Sequence, residues 1–247
     1  MSTALDPKRM VAELKELRSL TSDANGAQRV AFTRTWVETR AWLKSKLEAL
    51  PVEVHTDAAG NLWTTLRGQS EDALLIGGHM DSVPNGGWLD GCLNVLAGVE
   101  ILRRIAEQHN GKPPVTVRLV DWADEEGARF GKSLFGSSAC SGNLNMDEAR
   151  ELKDKQNIRL PDALKEVGVD FERVKESGKE LKNAAAYLAL ANLKTPLFNA
   201  SRASPGKRST QFFYALKTRV YPQLGRDPRG VRLHGQPSRR KQNPGRI

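Results

Sequence analysis

The stretch Ala73–Gln108, ALLIGGHMDSVPNGGWLDGCLNVLAGVEILRRIAEQ, decides how the rest of the chain is read. Ala73–Gly77 opens with a short continuous apolar run, the signature of a strand buried on both faces of a parallel sheet. A glycine-rich loop follows, and Cys92–Gln108 then repeats its apolar residues at helical spacing. The next apolar run is Val115–Trp122, in VTVRLVDWADEEG. Strand, helix, strand in this order predicts a parallel α/β sheet.

Working outward, Asp6-Pro7 reads as an N-cap with proline at the first helical position. Met10, Val11, Leu14, Leu17 and Leu20 then mark an amphipathic helix over 7–20. A second helix is expected over about 28–50, with Trp36, Trp42, Leu43 and Leu47 on its apolar side. Val52–Thr56 and Leu62–Leu66 flank the turn Ala58–Asn61 and read as a hairpin. Short helices are expected over 147–155 and 161–167, and a further strand over 182–190.

Composition narrows the function classes. Hydrophobic residues make up 39% and charged residues 27% of 247, which suits a soluble protein. No apolar run approaches the roughly 18 residues of a membrane span. The start MSTALDPKRMVAEL has neither the apolar core of a signal peptide nor an Arg/Ser-rich transit pattern, so a cytoplasmic location is expected. Cys92 and Cys140 form no spacing pattern, in keeping with a reducing compartment. The net charge of +9 is unevenly spread: from Asn192 onward there are 13 Lys and Arg against one acid, Asp227. The preceding residues carry 25 bases and 28 acids. A near-neutral body therefore carries a basic, Pro/Gly/Ser-rich tail, expected to be disordered from about residue 199. Lys207, Arg208, Arg239, Arg240 and Lys241 could contact phosphates and Phe212, Phe213 and Tyr214 could stack on bases. No motif frames them, and nucleic acid is not the expected partner.

The two loops after the predicted strands hold the chemistry. His79, Asp81 and Asp90 follow the first; Asp124, Glu125 and Glu126 follow the second. In open α/β sheets ligands bind at the carboxyl ends of strands. Taken singly, His79 reads as a turn residue, Asp81 as an Asx turn, Asp90 as the N-cap of the next helix, and Glu125–Glu126 as a solvated pair. Their joint occurrence points to a metal site of imidazole and carboxylates, suited to zinc or manganese. Asp81 could orient His79, and Asp90 could bridge two ions. On an extended segment, adjacent Glu125 and Glu126 cannot both face one ion, so one would ligate and the other act as base.

HMDSVPNGGWLDGCLNVLAGVE and EEGARFGKSLFGS closely resemble the metal-dependent amidohydrolases that act on N-carbamoyl-L-amino acids, allantoate and 3-ureidopropionate, a branch of the aminoacylase/carboxypeptidase-G-like metallopeptidases. The resemblance covers the chain from near its start to about Leu190. It implies a partial three-layer αβα catalytic domain with a mostly parallel sheet over 1–190, followed by a basic tail over 191–247. It implies two divalent ions, zinc first and manganese or cobalt as alternatives, with His79 and Glu126 as ligands and Asp90 bridging. Glu125 would be the general base and Asp81 the support of His79. The substrate would be a small ureido or amide compound, hydrolysed at a non-peptide C–N bond.

The resemblance also has an edge. The family continues past Ala-Tyr-Leu with a Glu-Leu-His-Ile-Glu-Gln-like segment, which brings a further ligand histidine. Here AAAYLALANLKTPLFNASRASPGK stands instead. The other histidines are His55, His109 and His234. The lid or dimerisation domain and the last ligand histidine are not recognisable either, so no homodimer is expected. A truncation or frame change is the simplest account. It leads to the expectations of weakened metal binding, low stability and little or no catalysis.

Overall fold

The structure, a computed structural model, describes residues 5–189. The basic tail and its expected disorder lie outside the described residues.

Helix α1 (Pro7–Thr21) begins where expected, with the Asp6 side chain accepting from the backbone N–H groups of Lys8 and Arg9. Two short strands follow, β1 (Ser22–Asp23) and β2 (Gly26–Ala27), and then helix α2 (Arg34–Ser45). The sequence reading placed the start of α2 near Gln28, and the structure corrects it. Gly86 exchanges backbone hydrogen bonds with Ala27 (2.9 and 3.2 Å), and the Ser82 N–H donates to Arg29 O (3.0 Å). Phe32 is left-handed at φ 59°, and Thr33 caps α2 through its side chain. Residues 26–29 thus form a strap along the loop 82–86, whose long-range bonds override the helical period.

Strands β3 (Glu53–Thr56) and β4 (Leu62–Leu66) make the expected hairpin. The buried Asp57 carboxylate ties its turn by accepting from the N–H groups of Ala59 and Asn61 and from the Trp63 indole. Strand β5 (Ser70–Gly78), helix α3 (Cys92–Gln108) and strand β6 (Val115–Asp121) form the crossover read from the sequence. Helices α4 (Phe135–Ser141), α5 (Met146–Glu151) and α6 (Leu160–Glu166) follow, then a run of 3-10 turns (Phe171–Leu181) and strand β7 (Ala184–Leu188). The sequence reading had not marked α4 or the 3-10 run. It also ran the α5 segment to Lys155; Asp154 instead accepts from the N–H groups of Gln156 and Ile158 and bends the chain.

The sheet order is β3-β4-β6-β5-β7. Strand β6 is parallel to β5 and β5 to β7, and only β4 runs against the rest. The alternation of side chains sorts the two faces. Leu62, Leu66, Ile76, Val117 and Leu119 pack with α1, α2 and α3. Trp63, Leu75, Val120 and Trp122 face the other way, against Cys140 of α4, Leu181 and Tyr187. Layers of helix on both sides of a mostly parallel sheet bear out the expected α/β class.

Outer charges fasten α1 to α3. The Glu100 carboxylate, nearly fully buried, accepts from Arg9 Nη2 (2.8 Å), the Asp6 N–H (2.7 Å) and Arg103. Burial pushes its pKa up, but these donors outweigh burial and hold it below the usual carboxylate value of 4.5. A carboxylate with a lowered folded-state pKa stabilises above its unfolded pKa and loses that contribution as pH falls through the folded value. Glu100→Gln is expected to cost about 2 kcal/mol at pH 7 and to flatten the acid limb of a stability–pH curve below about pH 4.5. Parallel acid limbs for the two proteins in urea titrations would refute the assignment.

Candidate metal centre

Two adjacent parallel strands deliver the site. The chain leaves the end of β5 for α3 on one face of the sheet. It leaves the end of β6 for α4 on the other. Oppositely directed exits from neighbouring strands open a crevice at their carboxyl ends, the place where α/β sheets bind ligands. His79 follows β5 directly, and Glu125 and Glu126 follow β6.

The glycines around His79 are there for contact. A Cβ on Gly91 would lie 2.5 Å from His79 Cε1, and Gly91 has φ +64°. A Cβ on Gly78 would lie 2.7 Å from the Asn94 Cβ. Only glycine lets the start of α3 press against the imidazole.

His79, Glu125 and Glu126 each offer a ligand atom, and these atoms all lie within 4.8 Å of one another. His79 Nε2 is 3.6 Å from Glu125 Oε2. The sequence reading took the Glu125–Glu126 segment as extended. The chain instead turns there, with Asp124 left-handed at φ 52°, and both glutamates approach His79. Asp81 is buried and does more than sit beside His79. His79 Nδ1 lies 3.0 Å from the Asp81 carbonyl and 3.5 Å from its carboxylate. That same carboxylate accepts from the backbone N–H groups of Glu125 (3.3 Å) and Glu126 (3.1 Å). Asp81 therefore ties the two loops together. Asp90 is exposed, accepts from the Gly91 N–H (3.1 Å), and is not one of the converging three. Its charge still reaches Glu125 and Glu126, raising the pKa of both.

Residues 75–223 match Peptidase family M20/M25/M40. The chain belongs to that family. An N-carbamoyl-L-amino acid amidohydrolase of Geobacillus stearothermophilus is 37% identical over 169 residues, 68% of this chain and 41% of the relative. The allantoate amidohydrolase of Bacillus subtilis strain 168 is 32% identical over 145 residues, 58% of this chain and 35% of the relative. A crystal structure of a hydantoinase/carbamoylase family amidase from Burkholderia phymatum superposes with TM-score 0.63 at 31% identity, covering 75% of this chain and 45% of that one. This M20 chain spans about four tenths of the length of the curated relatives it matches. The family match runs to residue 223, past the point near 190 where the resemblance read from the motifs ends.

The charges around His79 favour a positive charge at this candidate site. Burial opposes protonation of His79, but Asp81 and then Glu125 and Glu126 outweigh it and raise its pKa to about 10. Burial, with the charges of Glu125, Asp90 and Asp81, lifts Glu126 to about 7 against the pull of His79. Burial likewise raises Glu125. In the protein alone, a proton on His79 supplies the positive charge that these carboxylates favour. One imidazole with carboxylates and no thiolate fits a borderline divalent ion. Cys92 is buried core, its thiol pushed by burial to about 12. Of the other histidines, His55 on β3 pairs with Glu180 and His109 ends α3, while His234 lies outside the described residues. No described helix is long and apolar enough to cross a membrane.

Sequence reasoning missed the residues that hold the loops. Arg29, Arg40 and Asp121 are buried and bonded around Met80, and Asn61 accepts from the Ala123 N–H (2.9 Å). The one available signal was a carboxylate flanked on both sides by apolar residues, Asp121 in LVDWA.

Proposed function

We propose that the chain carries one side of the active site of a metal-dependent hydrolase of non-peptide C–N bonds in linear amides. N-carbamoyl-L-amino acids, allantoate and 3-ureidopropionate are the candidate substrates. The observation that carries this reading is the convergence of His79, Glu125 and Glu126 at the crevice between β5 and β6. His79, Glu126 and Asp90 would hold divalent metal, with two ions and zinc as the first choice, manganese or cobalt as alternatives. When bound, such ions polarise a carbonyl and make water a better nucleophile at neutral pH. Glu125 would take the proton from the attacking water and return it to the departing nitrogen. Its raised pKa suits both halves of that transfer. Asp81 would hold His79 and the two glutamate N–H groups. With a carbamoyl substrate, water cleaves the C–N bond, the amine leaves with a proton, and the carbamate breaks down to carbon dioxide and ammonia. We read residues 1–190 as the part of the catalytic domain that carries this chemistry and residues 191–247, by composition, as a basic segment.

A second reading is a metal-binding chain without turnover. It is favoured by the single imidazole in the converging group among the described residues. One assay separates the two. Each candidate substrate is incubated with the chain and zinc, manganese or cobalt, beside Glu125→Gln. Hydrolysis at least about 100-fold above the variant, the usual worth of a positioned base, supports the hydrolase. Equal rates support the second reading.

A further inference from the structure

Met80 lies between His79 and Asp81, and it is completely buried. Its N–H donates to Asp121 Oδ1 at 2.7 Å, and its carbonyl accepts from Arg29 Nε at 2.8 Å. The N–H belongs to the peptide joining His79 to Met80. The carbonyl belongs to the peptide joining Met80 to Asp81. Each peptide unit between the imidazole and its supporting aspartate is thus gripped by one buried charge, one of each sign. Arg29 is 0% exposed and Asp121 is 1% exposed.

Both charges are anchored away from the loop. Arg40 Nε donates to Asp121 Oδ2 at 2.7 Å, and its guanidinium stacks on Trp36 at 3.8 Å. Arg29 Nη1 donates to Thr21 Oγ1 at 3.2 Å, and the Arg29 N–H donates to Ser82 Oγ at 3.1 Å. Arg29 Nη2 is buried with no hydrogen-bond partner. A guanidinium left partly unsatisfied in the interior is a poor device for stability, because buried charges can often be replaced by apolar groups at no net cost. Hydrogen bonds to ionised groups are about twice as strong as neutral ones, so they hold peptide planes firmly.

We propose that Arg29 and Asp121 are positioning residues, which clamp the Met80 peptide so that His79 and Asp81 face the metal site in the unbound protein. The inference rests on the metal-site reading above and deepens it.

The test uses the full chain and Arg29→Met, Arg29→Lys and Asp121→Asn. Leu164→Ala, a completely buried residue of α6 in another part of the core, is the control for lost stability. Cobalt(II) is titrated by absorption spectroscopy well below each protein's unfolding temperature. Arg29→Met and Asp121→Asn are expected to weaken binding about 10- to 100-fold, the range for groups that orient a ligand, and to alter the cobalt spectrum. Arg29→Lys should recover part of the affinity. Leu164→Ala should lower the unfolding temperature and leave affinity and spectrum unchanged. Wild-type affinity and spectrum in folded Arg29→Met or Asp121→Asn would overturn the clamp, as would an equal loss in Leu164→Ala. Amide hydrogen exchange without metal gives a separate reading. Asp121→Leu, which removes the acceptor oxygen that Asp121→Asn keeps, should speed exchange at Met80 at least about 10-fold relative to Leu119 in the sheet core; no change overturns the clamp. A wild-type chain that binds no cobalt defeats the metal-site reading, and the exchange result then decides the clamp alone.

Discussion

His79→Ala is expected to reduce divalent-metal affinity by more than about 100-fold, beyond the 10- to 100-fold usual for the groups that merely support a ligand. His79 is the sole imidazole in the converging group among the described residues, and Glu125 and Glu126 alone leave an ion two carboxylates. The pH dependence should change with it. His79 holds its proton up to about pH 10 and Glu126 up to about 7 in the metal-free protein. Metal must displace those protons, so affinity rises with pH across 6 to 9 and falls on acidification. The variant loses the imidazole's share of that slope. Calorimetric zinc titrations in buffers of differing ionisation enthalpy measure affinity and proton release together. Affinity within threefold of wild type, with unchanged proton release, would place the ion elsewhere.

Asp81→Ala is expected to damage both stability and the site. It strips the acceptor from two backbone N–H groups, those of Glu125 and Glu126, and removes the carboxylate beside His79. Each polar group left without a partner costs about 1–3 kcal/mol, so the two together cost roughly 2–6 kcal/mol. For a chain of this size that is a fall in Tm of roughly 5–25 °C. Metal affinity should drop as well, because the loop bearing the glutamates is no longer tied to the loop bearing the histidine. Asp81→Asn keeps one acceptor oxygen and turns an NH2 group toward a donor, so it should fall between. A Tm within about 2 °C of wild type, at most about 1 kcal/mol on the same scale, would show that the loops are held without Asp81.

Much of this was legible in the chain. The apolar run before His79, the helical period over Cys92–Gln108 and the run ending at Asp121 are local patterns, and the crossover came out with nearly the right bounds. His79, Glu125 and Glu126 were readable because strand ends in a parallel sheet are where such side chains gather. The helix read from Gln28 was misplaced because the hydrophobic period is blind to a backbone recruited from afar. Gly26–Arg29 pairs with a loop more than fifty residues away. Asp90 could bridge two ions from its place before α3, and the family resemblance gives it that role; the ligand atoms within 4.8 Å of one another are those of His79, Glu125 and Glu126.

The sequence by itself determined the parallel α/β frame, the two loops and the donor types they carry, because hydrophobic period and residue chemistry are properties of short segments. Only the tertiary structure decided which donors converge, that Asp81 joins both loops, and that Met80 sits between two buried charges. Those outcomes depend on the side-by-side order of β6 and β5 and on hydrogen bonds spanning 41 to 51 residues, from Met80 to Asp121 and from Arg29 to Met80, which no local pattern encodes.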